Sequence, residues 1–111
     1  MTSFSKYDVV VVKFPFASSL KYKARPAIVV SSDLYNENSR ETLLILAVSS
    51  SVENKLDFEL EICNWEESGL LKPSIFKSAI ATIEKDFVIS QLGSLTQSDR
   101  DRMEKLIEVI C

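Results

Sequence analysis

Tyr7-Asp8-Val9-Val10-Val11-Val12-Lys13-Phe14-Pro15 is the stretch that decides the fold. Four consecutive valines stiffen the chain at χ1 and favour extended backbone. A short apolar run of this kind reads as a strand buried on both faces rather than one alternating between core and water. Pro15 stops it, and Ala17 to Lys23 is a small polar connection. Ala27 to Ser31 follows Pro26 as a second Val/Ile strand, and Thr42 to Val48 is a third, again apolar on both faces. Between them Leu34 to Glu41 is polar with two Asn and reads as a loop.

Further along, Ser49 to Lys55 is polar and Asp57-Phe58-Glu59-Leu60-Glu61-Ile62 alternates strictly. That period predicts a strand with Phe58, Leu60 and Ile62 toward the core and the three acids toward water. Trp65 to Pro73 holds a Gly and a Pro and reads as a turn region, Ser74 to Ile83 as a strand, and Phe87 to Leu92 as a short element of undecided type. Thr96 and Asp99 resemble a capping box at a helix start, with Asp where Glu or Gln is usual. Met103, Leu106, Ile107 and Ile110 then recur at helical spacing and form one stripe that docks on the sheet. Strands followed by one terminal helix predict a small antiparallel barrel, closed or half-closed, mainly β with a C-terminal helix.

The chain has 111 residues, 46% of them apolar, with two Gly and three Pro. That is enough core for one domain over 1–111 and leaves no room for a second. No apolar run approaches the ~20 residues of a membrane-spanning helix. Met1 to Lys6 is short and polar, unlike a signal peptide, which makes the cytoplasm the expected compartment. Cys63 and Cys111 are too few for a disulfide framework and lack metal-ligand spacing. There is no histidine. The usual general base and the commonest metal ligand are therefore both missing, so Ser-His-Asp and Cys-His chemistry is excluded and no cofactor or metal is expected. The formal charge is −3, from 13 basic and 16 acidic side chains, so binding to nucleic acid needs a local concentration of positive charge. One exists on paper: Lys21, Tyr22, Lys23 and Arg25 lie in a stretch without a single acid from Phe14 to Ser32.

These residues resemble the MazF/PemK toxin family. Its opening strand reads approximately D-(I/V)-V-x-V-x-F-P, here Asp8 to Pro15, followed by a loop and R-P-A-(I/V)-V-(V/L)-S, here Arg25-Pro26-Ala27-Ile28-Val29-Val30-Ser31. Ala47-Val48-Ser49 is similar to the family's third strand, which more often ends in Thr. Ser68-Gly69-Leu70-Leu71-Lys72-Pro73-Ser74, Thr82-Ile83-Glu84-Lys85 and Leu92-Gly93-Ser94-Leu95 resemble its second half. The resemblance implies an SH3-like, CcdB/PemK-like barrel that dimerises and cuts single-stranded RNA without metal. It also implies an antitoxin partner whose tail covers the RNA groove.

In such a reaction the RNA's own 2′-hydroxyl attacks phosphorus, and the protein must hold the extra negative charge, take one proton and supply another. A guanidinium suits the first task because it holds two phosphate oxygens at once. Arg25 matches the family's catalytic Arg, and Ser49 matches its catalytic Thr and keeps the hydroxyl that can donate to a non-bridging oxygen. The competing readings are a structural ion pair beside Pro26 for Arg25, and plain turn residues for Ser49 to Ser51. Ser19, Lys21, Tyr22 and Lys23 before Arg25, with Lys72, Ser74 and Lys77 later, are the expected RNA contacts. The sequence departs from the family where Leu20 stands for an acid and where Ser78-Ala79-Ile80-Ala81 replaces a stretch that carries an acid and an Arg. The acid/base route that uses that pair is not available, and Lys21 or Lys23 could serve as base only if burial or a like charge lowered its pKa. Three alternatives remain at this level: a catalytically dead binding module, a toxin acting on a protein such as gyrase, and an SH3-like adaptor.

Overall fold

A computed structural model describes residues 3–15, 22–39 and 41–111, without the side chains of 14, 15 and 22. The elements run β1 (Asp8–Pro15), β2 (Tyr22–Val29), α1 (Asp33–Asn38), β3 (Thr42–Ser49), β4 (Ile75–Glu84), β5 (Val88–Ser94) and α2 (Gln97–Ile110). The strands form one antiparallel sheet in the order β4-β3-β2-β1-β5. β4 and β5 are its two edges, yet only a 3-10 turn, Lys85–Phe87, joins them. So short a link between opposite edges forces the sheet to curl, and register shifts in β1 at Val9/Val10 and Val11/Val12 sharpen the bend. The barrel is half-closed: among the described residues no ladder joins β4 to β5.

Curling gives the sheet two apolar faces. Val10, Val12, Ala27, Val29, Leu43, Ile45 and Ile83 fill one side, with Phe4, Phe87 and Val88 packed against them. Val9, Ile28, Leu46, Val48 and Phe76 form the other, covered by Ile62 and Leu70 and by Leu95, Met103 and Leu106 around α2. Val9, Val10 and Val12 are each fully buried, which is why β1 reads as an unbroken apolar run.

The second strand begins at Tyr22 rather than Ala27, because its first half pairs with β1; three further expectations fail, each for a physical reason. Residues 34–41 are not simply a loop, because α1 forms there: Ser32 Oγ accepts from Tyr35 N at 3.1 Å as its N-cap. The buried Asn36 also holds it, with Nδ2 donating to the carbonyls of Phe4 and Ser31, each at 3.2 Å. Residues 57–62 do not form a strand; a single bridge, Glu61 to Ile75, is all the pairing they make. Ile62 is buried as expected, but Glu59 is 0% exposed and Phe58 is 43% exposed, the reverse of the alternation. Glu59 turns inward because its carboxylate accepts from Leu56 N (2.9 Å), Ser78 N (2.7 Å) and Ser78 Oγ (2.8 Å), with the Lys77 ammonium 3.6 Å away. At the start of α2, Thr96 is the N-cap residue but its side chain caps nothing. Asp99 reaches across to the 63–64 corner instead, accepting from Cys63 N at 2.9 Å and Asn64 N at 2.8 Å. The undecided 87–92 element is the end of the 3-10 turn and the first part of β5.

Candidate nucleic-acid interface

β2 pairs with β1 from Tyr22 to Ile28 but with β3 only over Ala27 to Val29. Pro26 has no N–H with which to continue the second ladder. The half of β2 before Ala27 therefore parts from β3, and Arg25 sits at the mouth of that gap, exposed. The last pair of this ladder is Ala27 with Ala47, so Arg25 on β2 and Ser49 on β3 each lie two residues beyond its end. On the outer sides Val12 of β1 flanks Arg25 and Ile75 of β4 flanks Ser49.

Arg25 makes no ion pair among the described residues. Ser49 does act as a turn residue, since its Oγ accepts from Ser51 N at 3.1 Å. Accepting uses a lone pair and leaves the hydroxyl able to donate. The turn and functional readings of Ser49 are thus compatible.

A cavity of about 340 Å³ opens where the strands part; Arg25 lines it with Ala24 and Pro26, and at the end of β3 Val48 and Ser50 line it rather than Ser49. Its apolar walls are Val11, Pro26, Val48, Leu70 and Leu92, and its cations are Arg25 and Lys72. Ser74 and Ser50 complete it; Ser74 is nearly buried, with its Oγ donating to the Lys72 carbonyl at 2.8 Å. Of the expected RNA contacts, the fold brings Lys72 and Ser74 into this cavity with Arg25. Lys23 is exposed two residues before Arg25 on the same strand. Lys77 goes elsewhere, to Glu59. Ser19 and Lys21 lie outside the described residues, as does the side chain of Tyr22.

Sequence reasoning missed Ser50 and the apolar walls. Nothing local signals them, because Val11, Leu70 and Leu92 meet only through tertiary contact. That contact is made by the chain's two glycines. A Cβ on Gly93 would fall 2.6 Å from the Ser68 carbonyl oxygen, and one on Gly69, at φ +93, would fall 2.4 Å from that of Leu92. Only glycine lets these two backbones touch. Their contact sets Leu70 and Leu71 beside Leu92 along the cavity.

Among the described residues no carboxylate, amide or imidazole lines the cavity. Among the described residues no three His, Cys, Asp or Glu side chains gather as a metal site. No helix among them is long and apolar enough to cross a membrane.

The sequence profile of the PemK-like, MazF-like toxins of type II toxin-antitoxin systems matches residues 5–111, and the chain belongs to that family. No curated protein sequence matches it. Among solved structures it is similar to an endoribonuclease from a Mycobacterial species, in complex with its cognate antitoxin, with TM-score 0.75 and 15% identity over 99% of this chain and 94% of that one. The Mycobacterium tuberculosis toxin MazF-mt6 gives TM-score 0.75 and 17% identity over 93% and 94% of the two chains. A MazE-MazF complex from Deinococcus radiodurans gives 0.73 and 14% over 98% and 94%. At such identities these likenesses establish the shared fold.

Proposed function

We propose that this toxin cleaves single-stranded RNA in the cytoplasm by attack of the ribose 2′-hydroxyl on the adjacent phosphorus, without a metal, and so arrests translation and growth. The observation that carries this reading is the cavity at the point where β2 parts from β3, which holds Arg25 together with a second cation, Lys72. Arg25 holds the phosphorane oxygens in a bidentate grip while Ser49 donates to a non-bridging oxygen. Lys23 and Lys72 bind flanking phosphates, which concentrates positive charge on one face of an acidic chain. The similarity to structures solved with an antitoxin supports a cognate antitoxin as partner, covering this same face.

Two copies would form the working unit. The outer edge of β4 is covered only as far as Ser78, by Phe76 N donating to Leu60 O and by Ser78 N donating to Glu59. Beyond it Ala79, Ile80, Ala81 and Thr82 are all exposed and carry no charge. An uncharged open edge of this kind suits antiparallel pairing with its own copy across a two-fold axis.

The test is incubation of the purified chain with a long single-stranded RNA in EDTA, beside Arg25→Ala. The proposal expects fragments ending in a 2′,3′-cyclic phosphate from the wild type alone, and growth arrest on expression of the wild type alone. An Arg25→Ala protein that cuts and arrests growth at wild-type level overturns the assignment of Arg25. RNA held but left uncut by the wild type would favour a binding module that lacks catalysis, the reading suggested by the missing acids.

A further inference from the structure

We propose that a second cavity, formed at Trp65, is a receptor for an arginine or lysine side chain carried by a peptide segment of a protein partner. This goes beyond RNA cleavage and does not depend on it. The cavity measures about 320 Å³, and Val52, Ile62, Trp65 and Pro73 line it together with Glu61. Trp65 is half-buried, packed on the core beneath α2, and also lines a neighbouring cavity of about 310 Å³ with Glu66 and Glu67. A guanidinium or ammonium is attracted to the face of an indole, and a carboxylate beside the ring adds an ion pair. An aromatic wall next to a carboxylate therefore selects a cation. Glu61, Glu66 and Glu67 are all exposed, and among the described residues none of them is held in an ion pair.

The corner that carries Trp65 is fixed from behind. Asp99, fully buried at the start of α2, accepts from Cys63 N at 2.9 Å and Asn64 N at 2.8 Å. Asn64 Oδ1 accepts in turn from Thr96 Oγ1 and Ser98 Oγ, each at 2.9 Å. Ile62 N donates to Ser74 O and Leu70 N donates to Trp65 O, both at 2.9 Å. A backbone held in this way loses little further freedom when a ligand binds. Ser74 lines both this cavity and the one at Arg25, so the two adjoin. Their charges are opposite: Arg25 and Lys72 in one, Glu61 in the other. RNA is negative at every phosphate, so the first cavity attracts it and the second repels it. A peptide can reverse its charge within a few residues. A segment lying across Ser74 would set an acid over Arg25 and an arginine or lysine over Trp65.

Trp65 is the only tryptophan in the chain, so its emission and its indole N–H resonance report this corner alone. The full chain is titrated with acetyl-Gly-Arg-Arg-Gly-amide, beside the same peptide with Gln in place of Arg. The Arg peptide should move both signals saturably and the Gln peptide should not. Its Kd should rise about tenfold in Glu61→Gln and should rise with salt. Glu108→Gln, on the exposed side of α2 and outside both cavities, should bind as the wild type does. No saturable change in either signal, or an unchanged Kd in Glu61→Gln, overturns the receptor. A pentauridylate that moves the Trp65 signals as the Arg peptide does would make the corner part of an RNA path and overturns it equally. No cleavage is read, so each outcome stands whether or not the ribonuclease reading does.

Discussion

Gly69 and Gly93, the only glycines in the chain, back onto one another so closely that neither position has room for a methyl group. One closes the 65–70 turn in the left-handed region and the other lies in β5. Their contact carries Leu70 and Leu71 to Leu92 and so completes the cavity wall.

Gly93→Ala is therefore expected to push the 68–69 backbone away, at a cost of about 2 kcal/mol, within the usual overpacking range. Gly69→Ala adds an unfavourable left-handed φ to the same clash. Thermal or urea unfolding reads the loss, and cleavage per folded molecule should fall too, because the wall moves. A Gly93→Ala protein with wild-type stability would show that the contact is looser than described.

Glu59 makes stability depend on acid pH. Burial alone would raise its pKa, but the N–H groups of Leu56 and Ser78, the Ser78 hydroxyl and the Lys77 charge outweigh burial and hold it below the ordinary glutamate value. A carboxyl whose folded pKa is depressed contributes stability that is complete above its unfolded pKa and is lost as pH falls through the folded value. The wild type should lose stability as pH drops below the ordinary glutamate range. Glu59→Gln should be less stable at neutral pH, by about 2 kcal/mol, and show a flatter profile in that window. Urea midpoints across pH 3 to 7 (~ range set by the glutamate pKa) check this; parallel profiles for the two proteins would exclude Glu59 as the source.

Ser49 separates chemistry from turn formation. Ser49→Ala removes the hydroxyl and should slow cleavage by about a hundredfold, the scale of losing one oxyanion donor. Ser49→Thr keeps it and should cut at close to the wild-type rate. Equal loss in both variants, with a shifted melting temperature, would assign Ser49 to its bond with Ser51 N alone.

The open part of β4 gives a test of assembly. Ile80→Lys sets like charges against each other across a two-fold axis and should halve the mass seen by analytical ultracentrifugation, with the monomer still folded. An unchanged mass would place the dimer surface away from Ala79–Thr82.

Much of the barrel was readable from side-chain pattern. The valine run announced β1, and the spacing of Met103, Leu106, Ile107 and Ile110 announced α2, because burial imposes its own period on a strand or helix. The 57–62 alternation misled for a specific reason. A period of two assumes that every carboxylate prefers water, whereas Glu59 finds three donors inside. Asp99 misled in the same way, since a residue three positions into a helix can satisfy another segment's N–H groups in place of its own first turn.

The sequence by itself offered the candidate chemistry: its resemblance to the toxin family singled out the guanidinium of Arg25 and the hydroxyl of Ser49 as groups to act on phosphate. It also marked Pro26 as a boundary, although β2 itself begins earlier, at Tyr22. Only the tertiary structure decided what surrounds them. Lys72 joins Arg25 while Lys77 turns to Glu59, and Val11, Leu70 and Leu92 become one wall. Those outcomes depend on contacts between residues far apart in the chain, set by the close approach of Gly69 to Gly93 and by the curl of the sheet, and no local pattern encodes a distance of that kind.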